Sequence, residues 1–329
     1  MTRQVRIHQF GDADGLSIDE VEIGAPGAGE VRLAIRAIGL NRTEITLRSG
    51  RSPVRPALPS KIGFEAAGVV EALGPEVTNL AVGDRVALVP AYGAAQYGLY
   101  AEAAIVPART LVRIPDGVSF QDAAATWAAF GTAWGGLVHV GRLAAGQSVL
   151  IPAASSSVGL AAIQIANRLG ARPIALTRTS VKAEALLAHG AAAVVATAEQ
   201  DLAAEVKALT GGAGANLAFD PVGGAAFAEL ARATRSGGTL VLYGALSPEP
   251  TVIPPFDIFA RDLTVRGLAL TALTRDDAVL AQLEAFVSAG LADGSLRPVI
   301  ARRFPFESVA DAHRFIEAGE QVGKVVLTV

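Results

Sequence analysis

The sequence predicts an α/β protein in which a doubly wound parallel sheet is joined to a β-rich, barrel-like domain. Three observations carry this. From Phe120 onward, stretches of helical period alternate with short apolar runs, the rhythm of a parallel sheet covered by helices. Before Phe120, short β-type runs are separated by Gly and Pro turns such as Pro26-Gly27 and Gly74-Pro75, which reads as a barrel. After Thr271 the chain again resembles its own beginning, with strand-like segments around one helical stretch. The β-rich domain is therefore expected to be discontinuous, with residues 1–121 and 272–329 forming it and residues 122–271 forming the parallel-sheet domain.

In order along the chain, β-type runs fall at 5–7, 30–37, 66–73, 85–88 and 103–106. Three prolines within 53–59 dictate an extended loop. Helices are predicted over 122–138, 157–169, 181–189, 200–209, 225–233 and 276–290, from apolar residues at helical spacing. Between them lie apolar runs at 148–152, 173–177, 192–196, 216–220, 239–243 and 263–270, each a candidate buried strand. The last segment adds strands at 299–304 and 324–329 around a helix at 308–318.

The most informative stretch is SVLIPAASSSVGLAAIQIANRLGARPIALTRTSVK, residues 148–182. It reads strand, small-residue turn, helix, strand, basic patch. The turn Ala154-Ser155-Ser156-Ser157-Val158-Gly159 occupies the frame of the dinucleotide fingerprint G-x-G-x-x-G, with Ala and Ser in place of the first two glycines. Small side chains let backbone N–H groups approach a pyrophosphate at a helix N-terminus. The second strand ends at Thr177-Arg178, where an NAD-binding fold usually places an acid on the ribose about 20 residues beyond the turn. Here the position is neutral then basic, and Lys182 follows one helical turn later. That pattern favours a 2′-phosphate and hence NADPH, with Ser180 adding a hydroxyl and capping the next helix.

Composition bounds the rest. The chain has 329 residues, 51% hydrophobic and 18% charged, with a net charge of −3. That fits a compact enzyme and excludes the strong basic patches of nucleic-acid binders. The longest apolar stretch, 123–138, is short for a membrane span and rich in Gly, Thr and Ala. Cysteine is absent, so there are no disulfides and no thiolate metal ligands. The N-terminal stretch lacks an apolar signal core, and the expected location is cytoplasmic. The four histidines, His8, His139, His189 and His313, show no ligand spacing and are expected at the surface or at helix ends. No metal site is expected.

Several blocks point to one family. GFEAAGVVEALGPEVTNLAVGDRVA, residues 63–87, resembles the signature of the medium-chain dehydrogenases/reductases, and AIGLNRTEITLRSG, AASSSVG, FDPVGG and VGKVVLTV resemble the same group. The likeness runs nearly end to end and is strongest to the zinc-independent, quinone-oxidoreductase-like branch. It implies a GroES-like catalytic domain, a Rossmann domain, a cleft between them and a homodimer. The zinc enzymes of the family carry a Cys where this chain has Asn41. Their Gly-His-Glu motif is Gly63-Phe64-Glu65 here, and their second ligand Cys falls near Ala128. Residues 89–107 have no counterpart of the lobe that holds a structural zinc. The quinone reductases often carry Tyr where Thr46 stands, and another Tyr near Thr197.

Without a Lewis acid, hydride transfer suits an acceptor that is already electron-poor, such as a quinone or an α,β-unsaturated carbonyl. Asn41, at the family's ligand position, is the first candidate for a substrate-side hydrogen-bond donor, followed by Thr46 and Arg48 on the helix-like segment after it. Tyr92, Tyr97 and Tyr100 cluster in the loop 91–101. Asp220 and Val222 in the Asp-Pro-Val-Gly-Gly turn, and Tyr243, Gly244 and Ala245 after the next strand, should lie at the sheet edge where cofactors bind. The alternative functions are a nucleotide-binding protein with little catalysis and, disfavoured by the missing ligands, a zinc alcohol dehydrogenase. Residues 262–270, if an edge strand, offer unpaired backbone groups to a second copy.

Overall fold

The computed structural model describes all 329 residues, Met1–Val329. The chain opens with β1 (Thr2–Ile7), β2 (Leu16–Val21), β3 (Glu30–Leu40), α1 (Arg42–Arg48), β4 (Ser60–Lys61), β5 (Ala66–Leu73), β6 (Arg85–Leu88), β7 (Ala103–Pro107) and β8 (Leu111–Arg113). It continues through α2 (Phe120–Ala124), α3 (Trp127–Trp134), β9 (Ser148–Ile151), α4 (Ser157–Arg168), β10 (Arg172–Thr177), α5 (Ala183–Ala188), β11 (Ala193–Ala196) and α6 (Leu202–Leu209). Then come β12 (Ala215–Asp220), α7 (Ala226–Ala233), β13 (Thr234–Leu242), α8 (Pro255–Ala260) and β14 (Thr264–Gly267). The chain closes with α9 (Leu270–Leu273), α10 (Asp277–Ala292), β15 (Ile300–Pro305), α11 (Val309–Ala318) and β16 (Lys324–Thr328).

Two compact units result. The first comprises Met1–Ala128, Thr274–Ala292 and Arg297–Val329; the second comprises Ala129–Leu273 and Asp293–Leu296. Residues 122–128, expected in the parallel-sheet domain, belong to the first unit. The Ala128 N–H donates to Glu65 Oε1 at 2.7 Å and ties that segment to β5's approach. In place of one helix over 122–138 the structure has α2, α3 and a π-helical turn, Gly135–Val140. Thr126 Oγ1 donates to the Asp122 carbonyl at 2.7 Å.

The first unit holds a three-stranded sheet, β2-β1-β4, and a seven-stranded sheet in which β16 joins β15 and β3, and β3 also pairs β5 and β7. Alternation explains β3: Val31, Leu33, Ile35 and Ala37 are buried, and all three partner strands are antiparallel to it. Strand β2, LSIDEV, was hidden in the sequence because its acidic residues interrupt the apolar pattern; it forms by pairing with β1.

The second unit is a six-stranded, all-parallel sheet in the order β11-β10-β9-β12-β13-β14. The central strand β9 has all four residues buried, as a strand covered on both faces requires. The chain leaves β9 toward β10 on one side, and β12 lies on the other. The C-terminal ends of β9 and β12 therefore flank a topological switch point, the usual ligand crevice of such sheets. The edge strand β14 is shorter than the expected 263–270, because Leu270 starts the short helix α9.

Candidate functional site

In the second unit the turn after β9 is shaped by packing. Ala153 lies at φ 49°, and Ser156 caps α4 by accepting the Gly159 N–H on Oγ at 3.0 Å. A Cβ on Gly159 would lie 2.5 Å from the Ala154 carbonyl oxygen, so only glycine lets α4 start this close to β9. Ala154 is buried; Ser155, Ser157 and Val158 are half-buried at the helix mouth. Lys182 Nζ reaches Ser155 Oγ at 3.4 Å, placing an ammonium group over the turn. Thr177 closes β10 and Arg178 is exposed beyond it.

Ser180 departs from expectation. The N-cap of its short helical turn is Thr179, with no side-chain cap, and the Ser180 N–H donates to Glu199 Oε1 at 3.1 Å. Thr197 donates its hydroxyl to the Thr177 carbonyl at 3.2 Å.

On the other flank of the switch point, Asp220 is fully buried and its carboxylate accepts the N–H groups of Val222 at 2.7 Å and Gly223 at 3.1 Å. Burial raises its pKa and those two donors oppose the shift. Tyr243 stacks on Phe219, with ring centres 4.0 Å apart. Its buried hydroxyl has no hydrogen-bond partner, and burial followed by the Asp220 charge raises its pKa. Gly244 and Ala245 follow, half-buried and exposed. These segments bring together the predicted residues at both sides of the switch point.

In the first unit, Asn41 precedes α1 and lies in a buried ionic cluster that sequence reasoning did not find. Lys324 Nζ donates to Glu65 Oε2 at 2.5 Å and to Asn41 Oδ1 at 2.6 Å. Asn41 Nδ2 donates to the Gly39 carbonyl and to Glu65 Oε2, both at 3.1 Å. Both amide protons are thus committed, and donation to a ligand requires exchange of one of them. Glu44 accepts the Asn41 N–H at 2.5 Å and the Phe64 N–H at 3.3 Å, stapling the α1 turn to the segment before β5 that carries Glu65. Burial pushes the Glu44 carboxyl up to about 8, against the pull of Lys324. Two signals were present: Glu44 is the third helical residue after a capping-type Asn, and Lys324 is a lone cation in an apolar strand.

Behind this cluster, Tyr100 and His313 are fully buried, with the phenol 3.3 Å from His313 Nε2. Burial holds the Tyr100 pKa well above its usual range, and the Glu44 charge adds to this. His313, expected at the surface or at a helix end, is buried within α11 and its pKa is pushed down to about 3 by burial and by Arg48. Arg48 is fully buried, bonded to the Gly11 carbonyl at 2.9 Å and to Glu317 at 2.5 Å; it is structural and not substrate-facing. Thr46 is half-buried and donates to the Arg42 carbonyl at 3.1 Å. Tyr92 and Tyr97 pack edge to face at 5.0 Å, beside a small apolar niche with Phe64 and Leu99.

Two family models match this chain: "Alcohol dehydrogenase GroES-like domain" over residues 27–116 and "Zinc-binding dehydrogenase" over residues 157–287. The quinone oxidoreductase of Lama guanicoe is 30% identical, over 99% of this chain and 97% of the relative. A solved Escherichia coli quinone oxidoreductase complexed with NADPH shares 27% identity at a TM-score of 0.91, covering 100% of both chains. A solved NAD-dependent alcohol dehydrogenase shares 32% identity at a TM-score of 0.90, covering 99% of both. With likeness at this level over the whole length, the chain belongs to the medium-chain dehydrogenase/reductase superfamily, in its quinone-oxidoreductase-like branch.

Proposed function

We propose that the protein is an NADPH-dependent, zinc-independent oxidoreductase that delivers hydride to a quinone or an α,β-unsaturated carbonyl. The observation that carries the cofactor assignment is the Lys182 ammonium, 3.4 Å from Ser155 Oγ at the mouth of α4. A phosphate-sized anion there meets unpaired helix N–H groups and fixed positive charge. The residues present fit the dinucleotide. Ser155, Ser157 and Val158 would hold its pyrophosphate, with Ala154, Ser156 and Gly159 fixing the turn. Arg178 and Lys182, beside Thr177 and Ser180, would hold its 2′-phosphate. The buried Asp220 carboxylate shapes the Val222–Gly223 turn, and Tyr243 brings an unsatisfied hydroxyl to the same end of the sheet, ahead of Gly244 and Ala245. When bound, the cofactor supplies a hydride from its nicotinamide ring.

The donor set does not fit a catalytic zinc ion. Such sites need three protein ligands of the Cys, His or Asp/Glu type. Here Asn41 and Phe64 stand at two family ligand positions and Ala128 near the third, while Glu65 is occupied by an ammonium group and a backbone N–H. A conjugated acceptor needs no metal, because its own π-system spreads the charge left by hydride addition. Asn41 and Thr46 are the polar groups proposed on the acceptor side. Lys324 and Glu65 orient the Asn41 amide, and its bond to the Gly39 carbonyl is the one open to exchange with an acceptor oxygen. A proton from solvent or from a hydroxyl group completes the reduction.

Loss of NADPH absorbance with a panel of quinones and enones tests the reaction, and metal analysis of the purified protein tests zinc independence. Arg178→Ala with Lys182→Ala should weaken NADPH binding about 100-fold, from two charge-assisted contacts, and leave NADH nearly unchanged. Equal losses for both cofactors would refute the phosphate role. A second reading, nucleotide binding with little turnover, draws support from the committed Asn41 amide. Tight NADPH binding without turnover on any acceptor would favour it.

A further inference from the structure

We propose that Glu199 is a specificity-determining residue, supplying from the third strand of the sheet the ribose-reading carboxylate that the second strand lacks. The inference rests on the dinucleotide reading above. Strand β10 ends in Thr177-Arg178 without an acid. The parallel neighbour β11 ends one residue before Thr197, and the chain then folds across the end of β10. The Thr197 N–H donates to the Thr177 carbonyl at 2.8 Å and the Ala198 N–H to the Arg178 carbonyl at 2.9 Å. This turn carries Glu199 onto the 178–182 segment, where its Oε1 accepts the Ser180 N–H at 3.1 Å.

The consequence is a site of mixed sign. Arg178 and Lys182 attract a 2′-phosphate. Glu199 repels it and occupies the Ser180 N–H that a phosphate oxygen would otherwise take. A free 2′-hydroxyl meets the opposite situation, because a carboxylate is a strong acceptor for an O–H donor. The site therefore accepts both phosphorylated and unphosphorylated dinucleotides, and Glu199 narrows the preference that the two cations set. At low salt, a carboxylate within several ångströms of a dianion in a solvent-exposed setting changes affinity by about three- to tenfold.

The test is calorimetric titration of the full chain with 2′,5′-ADP and with 5′-AMP, which carry the adenosine end alone and need no acceptor or turnover. Glu199→Gln keeps an acceptor for the Ser180 N–H and removes only the charge; circular dichroism and thermal unfolding confirm that the variant folds. The expected result is three- to tenfold tighter 2′,5′-ADP binding, unchanged or weaker 5′-AMP binding, and a gain that shrinks as salt is raised. An unchanged ratio of the two affinities, or an equal shift in both, would overturn the assignment while leaving the dinucleotide site standing. Failure of both fragments to bind the folded wild-type chain would overturn the dinucleotide reading and the Glu199 role together.

Discussion

Replacing Lys324 by Met should destabilise the first unit by roughly 3–5 kcal/mol, the usual cost of leaving one member of a buried ion pair behind. The pair is fully enclosed, with side chains 1% and 0% exposed and the charged atoms 2.5 Å apart. Gly39 makes the enclosure possible: a Cβ there would sit 2.0 Å from the Ala124 carbonyl and 2.8 Å from Glu65 Oε2. Methionine matches the length of the lysine stem and fills its volume, so the loss is electrostatic and not a cavity effect. After the substitution the Glu65 carboxylate retains only the N–H groups of Asn41 and Ala128. Asn41 Oδ1 also loses its donor, which adds about 1 kcal/mol. Adding Glu65→Gln to Lys324→Met removes the stranded charge and keeps an acceptor for the Ala128 N–H. The double variant should therefore recover most of the loss, to within about 1–2 kcal/mol of wild type on the same reckoning. Reversible urea unfolding followed by circular dichroism, with the two units fitted as separate transitions, measures each variant. A single-variant loss below about 1 kcal/mol, as for an exposed pair, or a double variant no better than the single, would refute the reasoning.

Stability should vary with pH in a defined way, from Glu44 and His313 and the groups that face them, Lys324, Glu65, Tyr100 and Arg48. Folding raises the Glu44 pKa from 4.5 to about 8, so its contribution is present below 4.5 and is lost as pH rises to 8. Folding lowers the His313 pKa from 6.5 to about 3, so its contribution is present above 6.5 and is lost as pH falls toward 3. The two slopes oppose each other between 4.5 and 6.5, and stability should be flat there and fall on both sides. In Glu44→Gln the decline from pH 6.5 to 8 should disappear from denaturation midpoints, although the whole curve drops because Gln offers one acceptor where two are used. Gly136→Ala should cost at least the 1–3 kcal/mol of ordinary overpacking, since its Cβ would lie 2.1 Å from the Phe219 ring that supports Tyr243; a thermal midpoint equal to wild type would contradict this. We further propose a homodimer through the second unit, where Val252, Ile253, Phe256 and Phe259 are exposed near the edge strand β14. Light scattering should give about twice 33.6 kDa, and Phe256→Glu with Phe259→Glu should halve it.

What the sequence disclosed and what it hid divide along the range of the forces involved. The order of the parallel strands and helices was legible because each is encoded by local apolar period, and β9, β10, β12 and α4 lie within a residue or two of their expected bounds. The turn at Ala154–Gly159 was legible for the same reason, since its small residues answer to backbone contacts within six positions. The ionic cluster answers to contacts of another kind. Lys324 meets Glu65 across 259 positions and Asn41 across 283, and no local pattern around any of the three residues names the other two. Asn41 stands out in the sequence by its place in a family pattern, and that pattern carries no information about which of its protons are already spent. Glu199 is a further instance. Its role depends on β11 lying beside β10 in parallel, a fact of topology that the alternation of strands and helices implied, and on the path of a turn that no period records. Residues whose chemistry is set by a partner near in the chain can be assigned from sequence. Those whose chemistry is set by a distant strand need the sheet to be assembled first, and in this protein the acidic groups, Glu44, Glu65 and Glu199, are all of the second kind or are anchored to residues that are.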